Sequence, residues 1–575
     1  MPFLPTSVRE LKILGWERPD IILFSGDAYV DHPSFGTAVI GRALEAEGYR
    51  VAIVPQPNWR DDRRDFKKLG QPRLFFGVTS GGMDSMVNHY TANKRLRSND
   101  AYTPGGKAGF RPDYATTVYT QILRELFPGT PVIIGGIEAS LRRLTHYDYW
   151  RDRLLPSVLV ESKADLLVYG MGEAPVREIA RRLANGEPVL QLRNIPQTAY
   201  LAASEYPAEG NASDCILHSF EECMKSKRKF AENFAVIEQE ANKKEGARRL
   251  IEPSGGGKVV VNPPGAMMTE KEIDASFDLP YTRLPHPRYR GKPIPAYEMI
   301  KHSVMIHRGC FGGCSFCTIA AHQGRFIVSR SEQSILREVE RITQMDGFKG
   351  YLSDVGGPSA NMYGMKGKEE TLCVQCRRHS CIFPRICKNL HTGHSRLLNL
   401  YGALRKCKAI KKAFIGSGIR YDLFLDEKGF SDASGEEYFR DLLRHHVSGR
   451  LKVAPEHTEQ HVLQVMRKPS FALFEKLKEL FDTQNRKEAL RLQLVPYFIS
   501  SHPGCTENDM RQLARKLQRL SMHPEQVQDF TPTPMTHASA IFYAGIDPCT
   551  MQKVYVPRAK TEKLRQKEWF FRRRE

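Results

Sequence analysis

Short apolar runs alternate with amphipathic stretches over about the first two hundred residues of the chain. "DIILFSG" (20–26) is apolar and ends in Gly, the pattern of a strand covered on both faces. "GTAVIGRALEAEGYR" (36–50) then sets Val39, Ile40 and Leu44 at helical spacing and stops at Gly48. The alternation repeats through "VAIVPQ", "LFFGVTS", "YATTVYTQILRELF", "PVIIGGIEA", "ADLLVYGMGE" and "PVREIARRLANG". Strand–loop–helix repetition predicts an α/β fold, here a doubly wound parallel-sheet domain over residues 1–205. The loops after these strands ("SGDAYVDHPSFG", "TSGGMDSMVNHY", "GGIEAS", "GMGE") are rich in Gly and polar residues. In such sheets those loops border the ligand crevice.

Residues 206–250 read as charged helix, and "PSGGGK", "NPPGAM" and "LPHPRYRGKPIPAYE" follow, dense in Pro and Gly. The expectation for 206–295 is therefore a helical segment and a surface connector. Alternation resumes over 296–548 with "SVMIHRG", "GFKGYLSDVGGP", "KAFIGSGIRYD", "GRLKVAPEH", "RLQLVPYFISSHPG" and "QVQDFTPTP". Helical stretches between some of them, such as "SEQSILREVERITQM" opened by Ser331, predict a complete or partial βα barrel. Its chemistry would sit at the strand C-termini. A Cys-rich insertion spans 360–395, and 549–575 reads as a basic tail, helical or frayed.

No apolar run approaches the ~20 residues of a membrane span. The N-terminus lacks the basic-then-apolar order of a secretory signal, so a cytoplasmic protein is expected. The net charge is +20, from 85 Lys+Arg against 65 Asp+Glu. Nucleic acid is one partner this would suit; a solvated basic surface is the other reading. The chain has 12 cysteines in 575 residues, too few for a disulfide scaffold. Seven lie between Cys310 and Cys387 and point to metal or catalysis. Cys215, Cys223, Cys407, Cys505 and Cys549 are expected to be buried small hydrophobes.

In "HRGCFGGCSFCTIAAHQGR", Cys310, Cys314 and Cys317 are separated by three residues and then by two. Four thiolates would close a [4Fe–4S] cluster, so three leave one iron open. Gly309, Gly312 and Gly313 permit tight turns around such a group, and Phe316 would shield it. The rival is a zinc loop that borrows His307 or His322.

Cys-x-x-x-Cys-x-x-Cys after an apolar strand, with an aromatic before the last Cys, resembles the signature of radical S-adenosylmethionine (SAM) enzymes. "CFGGCSFCTIAAHQGR", "SDVGGPSANMYG", "KVAPEHT" and "DFTPTPMT" resemble more closely the YgiQ family of radical SAM proteins, over nearly the whole chain. The resemblance implies that SAM is the fourth partner of the cluster. It implies reductive cleavage of SAM to methionine and a 5′-deoxyadenosyl radical, with an unknown substrate and a flavodoxin- or ferredoxin-type one-electron reductant. Gly356-Gly357-Pro358 occupies the place of a Gly-Gly-Glu-like stretch that meets the methionine amino group, without its Glu. Ser417 and Arg420 are the candidates for ribose or carboxylate contacts, although Arg420 has a rival partner in Asp422. Glu456 is a further candidate for a SAM contact, with an ordinary loop acid as the rival reading, and "YFISSHPG" resembles the adenine-side segment. The N-terminal domain stands where some relatives bind cobalamin. "DAYVDHPSFG" lacks the usual Asp-x-His-x-x-Gly order, so cobalt ligation by His32 is not expected and binding without it stays open.

"CVQCRRHSCIFPRIC" places Cys373, Cys376, Cys381 and Cys387 within fifteen residues. Four thiolates suit a second Fe–S cluster or a structural zinc ion, and the sequence does not choose. Two other functions stand beside the leading one: a tRNA- or RNA-modifying enzyme, and a non-catalytic iron–sulfur electron carrier.

Overall fold

The computed structural model describes residues 3–205, 213–522 and 527–570. The N-terminal strands are β1 (Ile21–Ser25), β2 (Val51–Pro55), β3 (Phe75–Thr79), β4 (Val132–Ile134), β5 (Leu166–Val168) and β6 (Thr198–Ala203). All but the last run parallel, in the order β2-β1-β3-β4-β5. Residues of β1 through β5 are buried on both faces, which explains their continuous apolar sequence. The helices Gly36–Ala46, Ala115–Leu126 and Glu173–Ala184 cover them.

The sheet does not stop at residue 205. Asp214–Ile216 (β7), Arg249–Ser254 (β8) and Gly257–Val261 (β9) extend it to nine strands, in the order β6-β9-β8-β7 beyond β5. The reading of 206–295 as a helical segment followed by a surface connector is thereby corrected. Gly255 and Gly256, at φ +59° and +79°, form the two-residue turn that pairs Ser254 with Gly257. A Gly-Gly hairpin turn looks like linker composition when its flanking strands are short. The helical part of the expectation is met by Phe220–Lys225 and Lys227–Ala241, and 206–212 lie outside the described residues. The Pro-rich stretch beyond β9 is also pinned. Tyr281, Arg283 and Ile294 are buried, and Arg283 N–H donates to the Asp31 carbonyl at 2.8 Å.

The second half carries β10 (Ser303–Met305), β11 (Tyr351–Leu352), β12 (Asp354–Gly356), β13 (Lys412–Ala413), β14 (Arg450–Glu456), β15 (Gln493–Ser500) and β16 (Val527–Asp529). Every pairing among them is parallel: β10 with β12, β11 with β13, and β14-β15-β16. Helices Glu332–Thr343, Ser395–Lys406, Phe471–Lys487 and Glu507–Arg519 lie between strands. The Ser331 hydroxyl caps the first by accepting from the Ser334 N–H, and Ile335, Val339 and Ile342 turn into the core. Val304, Ile306, Leu352, Val355, Val453 and Phe498 belong to that same core.

The tail is packed through residue 570. Helix Lys560–Glu568 buries Gln566, whose amide donates to the Cys505 carbonyl at 2.9 Å and accepts from Ser501 N–H at 2.9 Å. The closing "RRRE" lies outside the described residues. Several arginines of this basic chain are interior cations. Arg42 pairs with Asp31 at 2.6 Å, Arg111 with Asp27 at 2.9 Å, and Arg142 with Asp84 at 2.8 Å. Among the described residues, no helix is long and apolar enough to cross a membrane.

Candidate functional site

The chain leaves β10 and enters the loop of Cys310, Cys314 and Cys317 at the C-terminal end of that strand. Gly309 at φ +85° makes the entry possible: a Cβ there would lie 2.0 Å from the Phe326 carbonyl oxygen. Gly309 N–H donates to Gln323 Oε1 at 3.2 Å and Cys310 N–H to the Gly324 carbonyl at 3.1 Å, so the loop folds back on its own exit. Phe316 packs edge-on against His502, ring centres 5.9 Å apart.

Burial raises the Cys310 thiol, and burial followed by its two sister thiols pushes Cys317 up to about 12. As thiolates they need positive charge, which a bound metal centre provides. Protein charge is supplied on one side by Arg420, whose Nη1 donates to Cys314 Sγ at 3.3 Å. Arg420 also holds Asp422 through Nε at 2.9 Å and Nη2 at 2.5 Å. Burial favours the neutral Asp422 acid, but Arg420 and then Lys468 outweigh it and hold the carboxyl below its ordinary range.

The sequence-picked residues gather here in two sets. Gly356 ends β12 and Gly357 follows it. Ser417 stands beside Gly356, with its hydroxyl donating to Asp354 and its N–H reaching Asp354 Oδ1 at 3.2 Å. Gly357 lies against the ring of His307, which is fully buried and has neither ring nitrogen hydrogen-bonded; burial lowers its pKa to about 3. Arg420 and Glu456 sit on the cysteine side. Glu456, at φ +68° and buried, is raised above the usual carboxylate range by burial, against the pull of Lys468 Nζ at 3.7 Å and of Arg420. His322 is engaged elsewhere, with Nδ1 at 3.1 Å from the Ser140 hydroxyl.

A network the sequence did not announce borders the other side of the loop. Arg467 clamps Glu238 at 2.6 and 2.9 Å and contacts His537 Nδ1 at 2.9 Å and Cys549 Sγ at 3.4 Å. His379 Nε2 lies 3.6 Å from Cys549 Sγ, and His537 Nε2 lies 3.4 Å from Asp547. A cavity of about 60 Å³ separates this network from Cys314 and Cys317. Glu238, His379 and Cys549 have metal-like spacing, as do His537, Asp547 and Cys549. The Arg467 guanidinium already occupies the cation's place beside Glu238. These residues come from helix Lys227–Ala241, the Cys-rich insertion, the second-half segments around Arg467 and His537, and the supposed tail, and no local motif joins them. Cys549 is exposed, whereas Cys223 and Cys505 are buried as expected and Cys215 and Cys407 half-buried.

At the C-terminal edge of the N-terminal sheet lies a cavity of about 310 Å³. Its walls include Thr37, Gly81, Gly136 and Met171, and it opens toward His322 and Gln323 of the cysteine loop's exit. His32 does not line it. That imidazole is buried, its Nδ1 accepts from Ser34 N–H at 3.1 Å, and burial keeps its pKa well below normal.

The chain matches the family model described as Radical SAM N-terminal over residues 3–303. A UPF0313 protein of Porphyromonas gingivalis is 60% identical over 572 residues, covering 99% of this chain and 90% of that protein. A UPF0313 protein of Methanocella arvoryzae is 47% identical, covering 96% of this chain and 90% of that one. UPF0313 protein YgiQ of Escherichia coli is 44% identical, covering 98% and 82%. Among solved structures, the radical S-adenosylmethionine methyltransferase TsrM from Kitasatospora setae, with cobalamin and a [4Fe–4S] cluster bound, aligns with TM-score 0.49 and 15% identity, over 90% of this chain and 73% of that one. The cobalamin-dependent S-adenosylmethionine radical enzyme OxsB aligns with TM-score 0.47 and 11% identity, over 92% and 55%. With near-full-length identity of 44–60% to these relatives and the N-terminal match, the chain belongs to the UPF0313 (YgiQ) family of radical SAM proteins.

Proposed function

We propose that Cys310, Cys314 and Cys317 hold a [4Fe–4S] cluster with one open iron for SAM, and that the protein is an enzyme starting radical chemistry on a substrate still to be identified. The observation that carries this is the donor set itself: three thiols on one glycine-rich loop at a strand C-terminus, with the Arg420 guanidinium on Cys314. Bound there, the cluster supplies the single electron that cleaves SAM to methionine and a 5′-deoxyadenosyl radical.

The chain's own residues position and shield. Arg420 offsets thiolate charge, and its bond to Asp422 fixes its direction, so it serves the cysteine loop rather than the SAM carboxylate. The backbone at Gly356-Gly357 faces the methionine ammonium. The Gly356 carbonyl already accepts from Ile306 N–H at 2.8 Å, which leaves Gly357 as the acceptor, and Ser417, oriented by Asp354, stands beside them. Glu456 is the acid available to a SAM hydroxyl or ammonium group from β14. Phe316 and His502 keep water from the loop. A flavodoxin- or ferredoxin-type protein supplies the electron.

The test is anaerobic reconstitution, then dithionite and SAM, scoring 5′-deoxyadenosine beside a chain with Cys310→Ala, Cys314→Ala and Cys317→Ala. Product that vanishes in the variant supports the reading. A chain that takes up iron at this loop yet binds no SAM overturns it in favour of the electron carrier.

A second ligand is favoured by the 310 Å³ cavity facing the exit of the cysteine loop. Cobalamin is the reading its place suggests, held without an imidazole on cobalt because His32 does not line the space. Cobalt analysis after loading with hydroxocobalamin checks this; a colourless, cobalt-free protein removes it.

A further inference from the structure

Cys373, Cys376, Cys381 and Cys387 surround a cavity of about 310 Å³, distinct from the one at the N-terminal sheet. Two features of this cavity bear on what fills it. The first is sulfur spacing. A tetrahedral zinc site with Zn–S near 2.3 Å brings its sulfurs to about 3.8 Å of one another. Among the described residues, no three of these four sulfurs lie within 4.8 Å of one another. The second is the wall. Phe311, Ile327, Met365 and Leu390 line the space together with the thiols, leaving far more room than one ion fills.

A third observation is a cation set against the cysteines: burial raises the Cys376 thiol, but the Arg378 N–H and the Arg325 side chain outweigh it and hold the thiol below its ordinary range. Arg325 also lines the cavity, is only 2% exposed, and has no hydrogen-bond partner for Nε or Nη1. A buried guanidinium with idle donors calls for an anionic acceptor. Two sulfurs already receive N–H donors: Cys376 from the Arg378 backbone and Cys373 from the Asn389 amide, each at 3.4 Å. Amide-to-sulfur bonds of this kind support thiolates that ligate clusters.

We propose that these four cysteines bind a second [4Fe–4S] cluster, fully ligated by the protein, with Arg325 as its buried counter-cation. Four thiolates leave no iron open, so this cluster takes electrons and not substrate. It is built onto the first loop: Cys381 N–H donates to the Phe311 carbonyl at 3.1 Å, and the Ser380 hydroxyl to the Gly312 carbonyl at 2.8 Å.

The experiment is metal and sulfide analysis with Mössbauer and EPR spectra on three full-length chains, reconstituted anaerobically. One is wild type, one carries Cys310→Ala, Cys314→Ala and Cys317→Ala, and one carries Cys373→Ser, Cys376→Ser, Cys381→Ser and Cys387→Ser. Two clusters give about eight irons per wild-type chain and about four in either variant. A triple variant with about one zinc and no iron, or a quadruple variant with the wild-type iron content, overturns the proposal. A triple variant that keeps all the wild-type iron would instead sink the first-cluster reading and leave this one standing. Should the quadruple chain fail to fold, Arg325→Gln in the triple-variant background keeps all four thiols. Loss of the cation is expected to lower the reduction potential of the remaining cluster, and an unchanged potential overturns the role of Arg325.

Discussion

Gly357 lies flat against the imidazole of His307: a Cβ on Gly357 would stand 2.4 Å from Cε1 and 2.6 Å from Nδ1. The ring cannot retreat, because His307 is itself fully buried. This close approach, not a left-handed backbone, is what requires glycine just beyond β12. Gly357→Ala is expected to cost about 1–3 kcal/mol through overpacking, seen as a lower melting temperature. Adding His307→Ala makes room and should return most of the loss. An unchanged melting temperature in the single variant would show that the ring has somewhere to go.

Arg420 joins a carboxylate and a cysteine of the loop, and the two contacts can be separated. Arg420→Met leaves buried Asp422 with Lys468 as its remaining countercharge and without the guanidinium hydrogen bonds to its two oxygens, which is expected to destabilise the fold by about 3 kcal/mol. Arg420→Met with Asp422→Leu removes the buried charge and should recover most of that stability. It does not restore the donor to Cys314, so iron content per chain should stay below wild type. Wild-type iron uptake in the double variant would show that Arg420 matters only to Asp422.

The parallel strands were legible because burial on both faces writes an unbroken apolar run, as in Ile21–Ser25 and Val51–Pro55. The cysteine loop was legible because its three cysteines lie within eight residues. Strands β8 and β9 were missed for the opposite reason: "EPSGGGK" carries Pro253 inside a strand and a glycine run at a turn, both of which spell linker. The Glu238–Arg467–His537 network was hidden because its members meet only in three dimensions. Arg420 was half-read: the residue and its alternative partner Asp422 were visible, but its reach to Cys314 spans 106 positions.

The Gly255–Gly256 turn gives that missed hairpin its own check. Nothing lies within 4 Å of a Cβ on Gly256, so the cost of Gly256→Ala is backbone alone, at φ +79°. An L-residue there should lose about 1–2 kcal/mol. Gly256→Asn should lose less, since Asn tolerates this region. Equal melting temperatures for wild type and Gly256→Ala would mean the turn relaxes without strain.

Glu252 sits fully buried in β8, its Oε2 accepting from Thr145 N–H at 2.9 Å and its Oε1 without a partner. Burial raises its pKa from 4.5 to about 7, against the opposing hydrogen bond from Thr145 N–H. Between those values the folded chain holds a proton that the unfolded chain has released. Stability therefore falls as pH rises through this window, by up to about 3 kcal/mol for a shift of this size. Glu252→Gln keeps an acceptor for Thr145 and removes the titration. The variant should match wild type at pH ~4, below the unfolded value, and exceed it increasingly up to about pH 8, where the gap levels off. Denaturation midpoints of both chains across that range decide the point, and parallel curves would mean that Glu252 stays ionised in the fold.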